Sequence, residues 1–144
     1  MPIAIEDTLV HVLFLARHLN NCDLQSMAVV ALLELGVPTK RVGFDLLKKS
    51  ILISYKKPGL TTKEVFLEIG QSYEPQMSVA QIDQSIRDAI LEAWKFHDEK
   101  TWRCYLPQIM ASGMRKPTNA EFITQLARLM ELWVGCRKEP VYER

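Results

Sequence analysis

Five polar residues in the stretch Ser78–Trp94, SVAQIDQSIRDAILEAW, are spaced for reading nucleic acid: Gln81, Gln84, Ser85, Arg87 and Asp88. A glutamine amide pairs with the edge of adenine and an arginine fork with the edge of guanine, provided a helix carries them into the major groove. The same stretch encodes that helix. Val79, Ile82, Ile86, Ala89, Ile90 and Ala93 recur at steps of three and four, so they share one face. Ser78 and Gln81 have the S-x-x-Q spacing of a capping box, in which the serine oxygen accepts from the Gln81 backbone and the glutamine reaches back. An ordinary amphipathic helix with a solvated face has this pattern too, so the neighbouring elements have to decide between the two readings.

Immediately upstream, Thr61-Thr62-Lys63-Glu64 is a second capping box, T-x-x-E, opening a helix to about Tyr73 that buries Val65, Phe66 and Ile69. Glu74-Pro75-Gln76 is a turn before Ser78. A short helix, a tight turn and an amphipathic helix in succession make a helix-turn-helix, in which the first helix crosses the DNA backbone and the second enters the groove. The remaining chain is helical as well. Ile3–Leu19 has acids in its first turn, Arg17 and His18 in its last, and a stripe of Ile5, Leu9, Val12, Leu13 and Ala16 that suits packing on the domain or on a second copy. Asp23 caps Leu24–Leu35, with Gly36 at the left-handed closing position. A helix from about Thr39 to Tyr55 has Val42, Leu46, Leu47, Ile51 and Ile53 as apolar positions. Asp98 caps a less regular helix through Leu106, interrupted by Pro107 and Gly113. Thr118 and Glu121 form a third capping box before a last helix that turns Phe122, Ile123, Leu126, Leu129, Met130 and Trp133 to the core. The expectation is an all-α fold of six or seven helices, helix-turn-helix and winged-helix-like without a clear wing. It comprises an N-terminal appendage (1–22), the domain proper (23–134) and a loose polar tail (135–144).

Charge distribution adds to this. Net charge is only +1, but Pro38–Lys63 has seven basic residues against Asp45, while Glu64–Glu99 has eight acids against Arg87 and Lys95. A basic segment beside an acidic one places a cationic patch on one side of the fold. The three cysteines, Cys22, Cys104 and Cys136, are far apart and odd in number, which fits reduced thiols in a cytoplasmic protein. His11 and His18 share a helix side but lack a third ligand, so no metal and no cofactor is expected. No signal peptide and no membrane span is expected either. Cys104 with His97 and Asp98 is the one group resembling a nucleophile with its base; its apolar neighbours Trp102, Tyr105 and Leu106 are those of a buried thiol, so the chain is not expected to be an enzyme.

The segment from about Leu24 to Met130 resembles the C-terminal DNA-binding effector domain of the sporulation initiation response regulator of endospore-forming bacteria. Three motifs carry the likeness: Leu35-Gly36-Val37-Pro38 with Gly43-Phe44; Ile86-Arg87-x-Ala89-Ile90-x-x-Ala93-Trp94; and Lys116-Pro117-Thr118-Asn119-x-Glu121-Phe122-Ile123. The resemblance implies a helix-turn-helix transcription factor that binds double-stranded DNA at a short box, head-to-tail on adjacent boxes, and contacts the sigma subunit of RNA polymerase. It implies base contacts from the second helix at the positions of Gln81, Gln84, Arg87 and Asp88, to which the polar face adds Ser85. It also implies phosphate contacts from the start of the preceding helix, Thr61, Thr62 and Lys63, and from Lys40 or Arg41; the basic pair Arg115 and Lys116 belongs to the same expected set.

The chain departs from the family pattern in three ways. Two arginines of the family's recognition helix are Gln81 and Gln84 here, the histidine after Arg87 is Asp88, and the turn before the helix is a little longer. Glutamine favours adenine where arginine favours guanine, so the preferred box is expected to shift toward A·T pairs. Only residues 1–23 precede the resemblance, so control through an attached phosphorylatable receiver domain is not expected, and the N-terminal helix is instead a packing element or the seat of a homodimer. The alternative function is an interaction protein that keeps the fold and binds polymerase, a regulator or itself.

Overall fold

The computed structural model describes residues 23–113 and 115–138, and every regular element among them is an α-helix. In chain order these are α1 (Leu24–Glu34), α2 (Val42–Lys56), α3 (Thr62–Gln71), α4 (Val79–Lys95), α5 (Glu99–Tyr105), α6 (Pro107–Ala111) and α7 (Asn119–Lys138). The expected helix Ile3–Leu19, with its two histidines, lies outside the described residues.

The helices are laid around α2, which packs against α1, α3, α4 and α7; α3 and α4 pack on each other, and α7 also touches α1, α4 and α5. The core lies where these faces meet. Leu46, Leu47 and Ile51 of α2, Val65, Phe66 and Ile69 of α3, and Ile82, Ile86, Ala89, Ile90 and Ala93 of α4 are all buried. So are Phe122, Ile123, Leu126, Leu129, Met130 and Trp133 of α7. The three-and-four spacing therefore reads correctly in α3, α4 and α7, and in α2 for Leu46, Leu47 and Ile51, while Ile53 is only partly buried.

Two close approaches set the position of α4. A Cβ on Gly43 would lie 2.7 Å from the Ser85 carbonyl oxygen and 2.8 Å from the Ala89 Cβ. Only hydrogen at residue 43 lets α2 and α4 cross backbone to backbone, which gives the Gly43-Phe44 pair its physical reason. Behind them, Gly36 (φ +87) ends α1 in a Schellman closure: Val37 N–H donates to Leu32 O at 3.0 Å and Gly36 N–H to Leu33 O at 3.1 Å. The Leu35 carbonyl oxygen, just before Gly36, accepts from the buried Trp102 indole Nε1 at 3.1 Å, so α5 fastens the end of α1. Trp102 stands edge-on to Trp94, 5.6 Å between ring centres, and 5.9 Å from Phe122. This aromatic cluster ties the end of α4 to α7.

Several boundaries differ from the sequence expectation. Helix α2 starts at Val42 rather than about Thr39, because Arg41 is extended (φ −91, ψ 149) and has no capping side chain. Val42 itself is 46% exposed; at the first helical position it lies outside the α2–α4 crossing and is not core. The segment after Asp98 is two helices rather than one interrupted helix, since Pro107 starts α6 as its first residue, where a missing N–H costs nothing. Helix α7 continues through Gly135 to Lys138, into the stretch expected to be loose. Among the described residues there is no strand, hence no wing.

A candidate nucleic-acid interface

The capping boxes that open α3 and α4 are both made. Thr61 Oγ1 accepts from Glu64 N–H at 3.1 Å while Thr61 N–H donates to Glu64 Oε1 at 2.8 Å. Ser78 Oγ accepts from Gln81 N–H at 3.1 Å and Ser78 N–H donates to Gln81 Oε1 at 2.8 Å. The second box has a consequence for Gln81. Its amide oxygen, half of any two-point contact with adenine, already serves the cap. Gln81 can reach a base with its amide N–H, but a two-point contact requires opening the box.

The rest of the polar face of α4 is joined into one network. Arg87 Nη2 donates to Asp83 Oδ2 at 2.5 Å and Nη1 to Gln84 Oε1 at 3.2 Å. Gln84 Nε2 donates to Asp88 Oδ1 at 2.9 Å. Asp83 is engaged a second time: Asn119 Nδ2 donates to its backbone oxygen at 3.0 Å and to its Oδ1 at 2.8 Å. The pairs within α4 are solvent-exposed, so each is worth a fraction of a kcal/mol, on the order of 0.3–0.5 for helix neighbours, whereas the Asn119 bonds to Asp83 are part-buried. They orient the side chains and can exchange partners when a stronger acceptor arrives.

Beside this network is a concavity of about 370 Å³, lined by Thr62 of α3, Asp83 and Arg87 of α4, and Lys116, Pro117, Thr118, Asn119 and Ala120 at the start of α7. The start of α7 has the third capping box: Thr118 N–H donates to Glu121 Oε1 at 3.0 Å, and Glu121 N–H donates to Thr118 Oγ1 at 3.1 Å. Arg115 grips the same carboxylate with both ends of its fork, at 2.9 and 2.8 Å. That guanidinium, with the Thr118 backbone N–H, holds the Glu121 carboxyl down to about 2.

The structure thus brings together Thr62, Arg87 and Lys116 from the expected set. Thr61 and Lys63 flank Thr62, Lys63 exposed and Thr61 committed to its cap. Lys40 is exposed in the turn before α2, and Arg41 stands 3.9 Å from Glu92, toward the far end of α4. Arg115 has both ends of its fork on Glu121, an exposed pair like that of Arg87 with Asp83. Ser85 is half-buried, with its carbonyl against Gly43 at the α2 crossing. Two residues of the site escape the sequence reading, Asp83 and Asn119. Asn119 follows a capping threonine, and nothing local distinguishes it from a second, redundant cap.

Elsewhere, His97 and Asp98 have partners on their own segments. The His97 ring stacks on Trp94 at 4.0 Å with Nδ1 2.8 Å from the Trp94 carbonyl oxygen, and Asp98 caps α5 through Thr101. Among the described residues no helix is long and apolar enough to cross a membrane.

A family model described as "Sporulation initiation factor Spo0A C terminal" matches residues 29–130, a span that contains α2 to α6 whole with the second half of α1 and α7 as far as Met130. No solved structure matches the chain.

Proposed function

The chain belongs to the sporulation initiation factor Spo0A C-terminal family, and from that membership we propose that it is a sequence-specific DNA-binding transcription regulator. In this reading α3 crosses the backbone and the first two turns of α4 enter the major groove. The observation that carries it is the concavity where Thr62, Arg87 and Lys116 meet at the N-termini of α3 and α7. Helix N-termini and cations favour phosphate oxygens, and Arg87 beside them offers a fork to a guanine edge. Thr61, Thr62, Lys63 and Lys116 hold phosphates, joined by Lys40 and Arg41. Arg87 and Gln84 read bases, with Gln81 and Asp88 at the edge of that surface. The family resemblance adds head-to-tail copies of the chain and the sigma subunit of RNA polymerase as partners.

The test is a salt titration of binding to a labelled DNA duplex. The logarithm of the binding constant should fall linearly with the logarithm of salt, by about 0.9 for each phosphate neutralised. A slope near zero contradicts the reading.

One observation favours a second reading, an interaction protein that keeps the fold and binds polymerase, a regulator or another copy. The stretch Ser78–Trp94 has three acids, Asp83, Asp88 and Glu92, against Arg87 alone, which opposes a phosphate surface. A complex that forms without DNA and survives high salt supports it.

A further inference from the structure

Asn119 is buried, with 9% of its surface exposed, and shares that state with one other polar residue, Ser50, among the described ones. It takes no part in the cap of α7, which Thr118 and Glu121 make between them. Its amide instead crosses 36 residues of sequence to Asp83, donating to the backbone oxygen and to Oδ1. The other carboxylate oxygen, Oδ2, accepts from Arg87 Nη2. A carboxylate with one partner is free to swing about its terminal torsion, which is broad. With a partner on each oxygen, one from α7 and one from its own helix, its plane is set, and the guanidinium bonded to it is aimed as well.

From this geometry we infer that Asp83 and Asn119 are positioning residues for Arg87, and that the base preference of α4 depends on the start of α7 through them. The inference rests on the DNA-reading function proposed above. It explains why an acid stands on a surface turned toward phosphates, where charge alone would make it a cost. The carboxylate orients. Asp83 and Gln84 together occupy two of the five N–H donors of Arg87, and three remain for a base edge. It also gives Asn119 of the Lys116-Pro117-Thr118-Asn119 motif a task that a helix cap does not require.

The experiment measures dissociation constants of the full chain for two duplexes: one enriched from random DNA by the unmodified chain, and one of the same composition in scrambled order. The readout is the ratio of the scrambled constant to the enriched one. Asp83→Asn keeps the shape and removes the charge; it should tighten binding to the scrambled duplex while lowering the ratio roughly tenfold, within what one bidentate contact supplies. Asn119→Ala should lower the ratio similarly. Arg87→Ala should lower it too, and adding Asn119→Ala to Arg87→Ala should lower it no further, because the aim of an absent fork cannot be lost. Thermal unfolding accompanies each variant; if buried Asn119→Ala fails to fold, half-exposed Asp83→Asn decides alone. A folded Asp83→Asn that binds both duplexes more tightly with an unchanged ratio overturns the inference, since Asp83 would then act through charge alone. Losses from Asn119→Ala and Arg87→Ala that simply add overturn it as well. If the unmodified chain shows a ratio of one, the DNA-reading function itself fails and takes the inference with it.

Discussion

The buried and exposed sides of α4 differ in what holds them. On the inner side, Ile82, Ile86, Ala89 and Ile90 are fully buried, and Gly43 lets α2 approach the backbone directly. Each isoleucine there is worth roughly 1.5–3 kcal/mol in apolar burial. On the outer side, Gln84, Arg87, Asp88 and Asp83 hold one another through exposed hydrogen bonds worth a few tenths of a kcal/mol each. The first side fixes where the helix is. The second fixes how its side chains point, weakly enough that a phosphate or a base can replace a partner. If α4 is the recognition helix proposed above, it needs both: a rigid seat, and a surface whose hydrogen bonds are made in the free protein yet cheap to trade.

Ile86→Ala attacks the seat and should be the most damaging change, destabilising by roughly 2–5 kcal/mol. Chemical denaturation measures it, and an effect below that of an exposed substitution would remove the distinction between the two sides. Gly43→Ala attacks the same seat from α2. Alanine gains about 1 kcal/mol of helix propensity over glycine. Its methyl would meet Ser85 O and Ala89 Cβ inside contact distance, and overpacking costs typically 1–3 kcal/mol. The clash falls on backbone, which cannot swing aside, so it should prevail; the melting temperature drops and α4 shifts. A stabilised Gly43→Ala would mean that the helices part at little cost.

Gln84→Ala, on the outer side, should leave stability within about 0.5 kcal/mol and yet change base preference. A large stability loss would break the comparison from the other direction.

How much of this was legible in the sequence follows the same division. The inner side was, because burial repeats at 3.6 residues and capping boxes are local patterns: Ser78 with Gln81, Thr61 with Glu64, Thr118 with Glu121. The outer side was legible only as a set of polar residues. That Gln81 is spent on its cap, that Ser85 sits against α2 and that Arg115 is taken by Glu121 follow from geometry. Asp83 and Asn119 meet only because α4 and α7 pack together, and no spacing encodes that. The start of α2 was misplaced because Arg41 adopts extended backbone that its residue type does not announce. The run of α7 past Gly135 shows a helix absorbing the cost of glycine, about 1 kcal/mol, in its last turns.

Lys63→Ala probes phosphate contact without touching either side of α4. Affinity should fall evenly across sequences and the salt slope decrease by about one; an unchanged slope with loss at a single base would reassign Lys63. The smallest effect expected is in acid. Glu121 has its folded carboxyl near 2 against an ordinary 4.5, so the unfolded chain takes up the proton first as pH falls. Its contribution is present above about 4.5 and lost on the way down through about 2. Both it and Arg115 are exposed, so solvent screening keeps the contribution below about 1 kcal/mol. The melting-temperature gap between the unmodified chain and Glu121→Gln should therefore narrow as the pH is lowered through that window, and a gap that widens would reverse the sign.

The most direct measurement is selection of bound sequences from random duplex DNA by the full chain, with Arg87→Ala selected in parallel. The unmodified chain should enrich one short recurring box, richer in A·T than the family resemblance alone implies, and Arg87→Ala should lose the guanine-bearing position from it. Recovery of unenriched, random sequence by both proteins would contradict base reading by α4 and leave the interaction-protein reading in its place.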